Sequence, residues 1–115
     1  MRRAPAVDIL IPDSDLQKLC STEREQNKRL GKAGAKKLRA RLADLQAASR
    51  VTDLVAGKPH PLKGDRAGQF AVSLDGGRRL VFESANDPIP VGDDGSVVWD
   101  KVTAVRIVFI GDYHD

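Results

Sequence analysis

The sequence predicts an α+β domain in which an N-terminal strand and a helical hairpin pack on a small, mostly antiparallel sheet. Three observations lead there. A short β-branched stretch opens the chain; residues 14 to 48 carry helix formers; and from residue 58 the period changes to two, with turn residues between alternating runs. At 115 residues, a single domain over 1–115 with one core is expected.

Each element has a local cause. Val7 to Ile11, "VDILI", is β-branched and stopped by Pro12, so it reads as a strand. Asp13 or Ser14 supplies an N-cap for a short helix through Leu16 and Leu19. A second helix restarts near Ser21 and runs from about Glu23 to Ala48, where only Gly31 and Gly34 are poor helix formers. Two antiparallel helices result. Ala35, Leu38, Leu42 and Leu45 make the apolar stripe of the second, and Lys28, Lys32, Lys36 and Arg39 fall in one sector of about 80° at ~100° per residue. That sector reads either as a solvated face or as a surface for phosphates or an acidic partner. "GQFAVSL", the turn "DGG" at 75–77 and "RRLVFE" form a hairpin, and "ANDPIPVGDDGS" is a surface loop. "KVTAVRIVFIG" is nearly continuous apolar sequence, the pattern of a strand buried on both faces.

Composition narrows the classes. With 41% hydrophobic and 30% charged residues the chain reads as globular, and its first apolar run is too short for a signal or membrane segment, so a cytoplasmic location and no membrane partner are expected. Cys20, the single cysteine, excludes an intramolecular disulfide and a cysteine metal cluster, and reads as a packed helix residue. The net charge of +3 is unevenly spread. Residues 1 to 50 hold 12 Lys/Arg against 6 Asp/Glu, whereas the remainder hold 7 against 10. A basic half suits a polyanion such as nucleic acid, or an acidic protein.

The residues with chemistry lie in the second half: "HPLKG" at 60–64, Arg66, Arg79 and the terminal "DYH" of Asp112, Tyr113 and His114. Singly, Lys63 and Arg66 read as loop charges, Arg79 as a partner of Glu83 and Tyr113 as a cap on the core. Together they supply two imidazoles, an ammonium, guanidinium groups and a phenol without a carboxylate cluster, a set suited to an anionic substrate and metal-free proton transfer. Cleavage of RNA through its own 2′-OH fits, because histidine can act as base or acid near neutrality. Two histidines without short-range ligand spacing, set among cations, argue against a metal site, and no cofactor is expected. The groups meet only if the loop carrying His60 and Lys63 folds back over the sheet.

"HPLKGDRAGQFAVSLDGGRRLVF", the final strand and "DYH" resemble the HigB-type branch of the RelE/ParE toxin superfamily, the toxins (plasmid maintenance killer proteins) of bacterial toxin–antitoxin operons. "LQKLCSTEREQNKRLGKAGAKKLRARLADLQAA" is similar to the helical hairpin of the same family, so the resemblance spans nearly the whole chain. It implies a RelE/ParE-like fold and an endoribonuclease that cuts mRNA on the ribosome. It also implies a helix-turn-helix, HigA-like antitoxin as partner, with operator DNA reached only through that antitoxin. Position by position it carries a catalytic role onto His60, Lys63, Arg79, Tyr113 and His114, with Asp112 as an orienting group. Arg66, Lys32, Lys36 and Arg39 are the RNA-binding candidates. The chain departs from RelE in having Ala71 and Ser73 where RelE has two lysines, and from the usual family pattern in having Arg78 where an aromatic precedes the strand arginine. Two rival readings stay open at this point: a non-catalytic toxin that poisons gyrase or another target, and an inactive antitoxin-binding remnant.

Overall fold

The computed structural model describes residues 6–112, and the expected architecture is present there. Strand β1 (Asp8–Leu10) is followed by α1 (Ser14–Ser21) and α2 (Glu23–Ala47), then by β2 (His60–Pro61), β3 (Gln69–Ser73), β4 (Arg78–Ser84) and β5 (Ala104–Asp112). The strands lie in the order β1-β5-β4-β3-β2. Only the β1–β5 pairing is parallel, so the sheet is mostly antiparallel as predicted. Among the described residues no helix is long and apolar enough to cross a membrane.

The helical layer is a hairpin made by one glycine. Asp13 caps α1, its Oδ1 accepting from the Leu16 amide at 2.9 Å. Within α2, Gly31 has φ 72° and ψ 173°, a conformation that breaks the helix and that side chains resist. An unbroken helix would separate residues 26 and 39 by about 20 Å along its axis. Instead the Arg39 guanidinium donates to Gln26 Oε1 at 3.0 Å, so the arms 23–30 and 32–47 fold back on each other. Breaking the helix frees the Leu30 carbonyl, and Arg78 Nη1 donates to it at 2.7 Å. Arg78 thereby ties the helix reversal to the β3–β4 turn.

The core lies between the helices and one face of the sheet. Leu38 and Leu45 of α2 and Val51 just after it share one buried cluster with Phe70, Val72, Leu80, Phe82, Val105 and Ile107 of the strands. Each such side chain contributes roughly 1.5–3 kcal/mol by leaving water. Phe70 stacks on Phe82 with centroids 5.4 Å apart, and Trp99 closes over both.

Strand β5 is not buried on both faces throughout, contrary to the reading of its apolar run. Val105 and Ile107 are sealed, but Val108, Phe109 and Ile110 are half-buried. The cause is a bulge. Val81 pairs with Phe109 and Phe82 with Ile107, leaving Val108 without an opposite residue. One extra residue reverses the alternation. Phe109, which would continue the Val105–Ile107 series into the core, points to the face away from the helices.

A candidate active site on the open face of the sheet

Opposed residues of antiparallel strands share a face, so the register defines what the open face carries. One row is Ser73–Arg79–Gly111, the next is His60–Ala71–Val81–Phe109, and the third is Gln69–Glu83–Arg106. Ala71 and Val81 in the middle row are fully buried, so this face is covered at its centre. Neighbouring strands lie about 4.8 Å apart and successive rows about 6.7 Å apart. His60 and Arg79, two strands and one row apart, therefore have backbones roughly 12 Å from each other, a gap their side chains can narrow from both sides.

The β2–β3 connection folds over this face, the condition the sequence left undetermined. Leu62 N donates to Gln69 O at 2.9 Å, prolonging the β2–β3 ladder, and a 3₁₀ turn Gly64–Arg66 follows, closed by Arg66 N donating to Lys63 O at 3.2 Å. From that turn the Arg66 guanidinium reaches across to β5 and lies over the Phe109 ring, 4.9 Å from its centroid. Lys63 is exposed at the start of the same turn. Thus Arg66, Lys63, His60 and Arg79 belong to one side of the sheet or to the turn that crosses it.

His60 is exposed, and its Nδ1 lies 2.8 Å from the Lys58 carbonyl oxygen. A carbonyl only accepts, so Nδ1 carries the proton and the neutral ring offers Nε2 as its basic atom. Arg79 is half-buried and donates from Nη1 to the Gly77 carbonyl at 3.0 Å. It is not the partner of Glu83, which instead accepts from Arg106 Nη1 at 2.7 Å. Arg66 Nη1 also donates to Gln69 Oε1 at 3.0 Å, which fixes the guanidinium from a second direction.

Not every predicted residue joins this group. Asp112 pairs with Arg78 rather than Arg79, so alternation gives it the helix side. Its carboxylate lies against Gly77, where a Cβ would come 3.6 Å from Oδ2. Lys32, Lys36 and Arg39 belong to α2 in the helical layer, away from the open face. The four-residue cationic sector does not form, because Gly31 puts Lys28 on the other arm and the Arg39 guanidinium turns to Gln26. Tyr113 and His114 lie outside the described residues; the last described pair before them is Arg78–Asp112.

Sequence reasoning passed over Phe109, reading it as core. The signal for its true position is a property of two strands, the bulge, and of Gly111. A Cβ at Gly111 would sit 3.2 Å from Phe109 Cζ, so the bare glycine is what lets the ring lie over β5 next to Arg79. Among the described residues no group of three or more His, Cys, Asp or Glu could hold a metal ion.

No protein-family model and no curated protein matches the chain. Solved structures do. A YoeB/ParE toxin from Agrobacterium tumefaciens superposes with a TM-score of 0.57 at 18% identity, over 94% of this chain and 100% of that one. The YoeB–YefM complex and the YoeB dimer, both from Staphylococcus aureus, each give 0.54, at 17% and 18% identity, over 95% of this chain and 98% of theirs. The chain has the fold of the YoeB/ParE toxins. The scaffold is thus the one the resemblance implied, and the likeness is to its YoeB representatives.

Proposed function

We propose that this chain is the toxin of a type II toxin–antitoxin pair, a HigB-like endoribonuclease that cuts mRNA on the ribosome, in the cytoplasm, by attack of the RNA's own 2′-OH. The observation that carries this reading is the gathering of His60, Lys63, Arg66 and Arg79 on or over the sheet face opposite the helices. The shared fold with toxins supports it, and the YoeB–YefM complex supports a second protein, a helix-turn-helix antitoxin, as partner.

The chemistry needs three functions. A base removes the 2′-OH proton; the oxygen attacks phosphorus as the P–O5′ bond breaks; an acid protonates the departing 5′-oxygen. The products are a 2′,3′-cyclic phosphate and a 5′-hydroxyl. His60 Nε2 and His114 are the proton-transfer groups, each suited to either step near neutral pH. Arg79 and Lys63 stabilise the charge that builds on the phosphorane oxygens. Tyr113 stacks on a base or orients the 2′-OH. No step calls on a metal.

Induction in cells without a partner is the test. Growth arrest with shortened message is expected. Growth arrest with a normal message profile would replace this reading with the non-catalytic, target-poisoning one.

A further inference from the structure

We infer that Phe109 and Arg66 form a nucleobase-stacking subsite beside Arg79, taking the base of a nucleotide adjacent to the scissile phosphate. The inference rests on the proposed RNA-cleaving function and names a residue, Phe109, that composition and motif assign to the core.

Three independent features build this subsite. The bulge at Val108 turns the aromatic ring out of the core onto the open face. Gly111 clears the space the ring occupies, and Gly111 is the register partner of Arg79. Arg66 then lies over the ring at 4.9 Å, within the ~6 Å range of a cation–π contact, and Gln69 Oε1 holds its guanidinium at 3.0 Å. An aromatic ring and a guanidinium plane are the two surfaces on which proteins stack unpaired bases. Phe109 and Arg79 are diagonal neighbours on paired strands, with backbones about 7–8 Å apart. That is the scale of one nucleotide, so a phosphate on Arg79 leaves an adjacent base within reach of the stack.

The geometry also separates the roles. Arg79 meets a phosphate, which every nucleotide has, whereas a stack on Phe109 and Arg66 meets a base. Loss of the base from the RNA should therefore mimic loss of the ring, and should leave the contribution of Arg79 intact.

The experiment measures equilibrium binding of two short single-stranded RNA oligonucleotides to the full chain, one with all bases and one with abasic sites throughout its centre. Loss of a stacked base corresponds to a fall of about 5- to 150-fold in affinity. Phe109→Leu should weaken the base-bearing RNA by that factor and change abasic RNA by less than about twofold, and Phe109→Tyr should restore binding. Arg79→Ala should weaken both RNAs alike. Should Phe109→Leu fail to fold by its thermal melt, Arg66→Lys keeps the charge, removes the plane and must show the same preference. Equal binding of both RNAs by the parent, or an unchanged base preference in Phe109→Leu and Arg66→Lys, overturns the subsite alone. Failure of the parent to bind either RNA overturns the subsite, whereas the nuclease reading, in which cleavage occurs on the ribosome, is decided separately by the message profile on induction.

Discussion

Arg78 and Arg79 are adjacent in sequence but belong to opposite faces of β4, and alanine at each should fail in a different way. Arg78 donates to the Leu30 carbonyl at 2.7 Å where Gly31 breaks α2, and to Asp75 Oδ1 at 3.3 Å. A hydrogen bond from a charged donor contributes about 1.5–3 kcal/mol, and Arg78→Ala leaves the Leu30 oxygen without that donor. With a third of the Arg78 side chain exposed, solvent recovers part of this, so about 1–2 kcal/mol is expected. For a chain of this length that is roughly 4–8 °C in the melting midpoint. Arg79→Ala removes a half-buried guanidinium that donates to the exposed Gly77 carbonyl, and it is expected to cost less stability than Arg78→Ala. Its cost should fall on the reaction, about 10²- to 10³-fold in cleavage rate, as for loss of one group that stabilises transition-state charge. Thermal unfolding by circular dichroism and cleavage of a defined message, run on both variants, give a crossed result if the assignment holds. An Arg78→Ala protein that melts with the parent, or an Arg79→Ala protein that melts many degrees lower while cutting normally, would refute it.

Three further predictions follow from the packing and ionisation. Phe82→Ala removes a fully buried ring from contact with Phe70 and Trp99 and should cost about 3–5 kcal/mol in urea unfolding; a loss below 1 kcal/mol would contradict the core described. Burial pushes the Cys20 thiol up to about 11, so alkylation by iodoacetamide should be slow at pH 8 and accelerate only as pH approaches that value; labelling at the rate of a free thiol would count against it. The Arg29 guanidinium, hydrogen-bonded to Asp15 and Glu25, holds both carboxyls below their ordinary range. Because their folded values are depressed, the stabilisation is present above about pH 4 and is lost as pH falls through the folded values. Unfolding midpoints of the parent and Asp15→Asn should therefore differ slightly at pH 6 and converge towards pH 2; a constant difference would show the pair to be electrostatically idle.

Much of this arrangement follows from local sequence. The "DGG" turn joins β3 and β4 where expected because glycine accepts the backbone such turns demand, and Phe70, Val72, Leu80 and Phe82 reach the core because alternation fixes their face. Gly31 stood out as a weak point in a helix, but its size gave no angle; the reversal depends on the arms packing together and on Arg78, forty-seven residues away, meeting the freed carbonyl. Phe109 was misread for a related reason. Within β5 it continues the core series Val105–Ile107, and only its pairing with β4 reveals the extra residue that turns it outward. The gathering of Arg66 with β5 was likewise conditional on a loop path that no single segment encodes.

The chemistry of the cut ends tests the central claim most directly. A defined message is translated in a purified system with the chain added, and the fragments are examined for their termini. The account predicts cleavage that leaves a 2′,3′-cyclic phosphate and a 5′-hydroxyl, abolished by Arg79→Ala and by His60→Ala together with His114→Ala. Intact message, or fragments bearing 5′-phosphates, would contradict it.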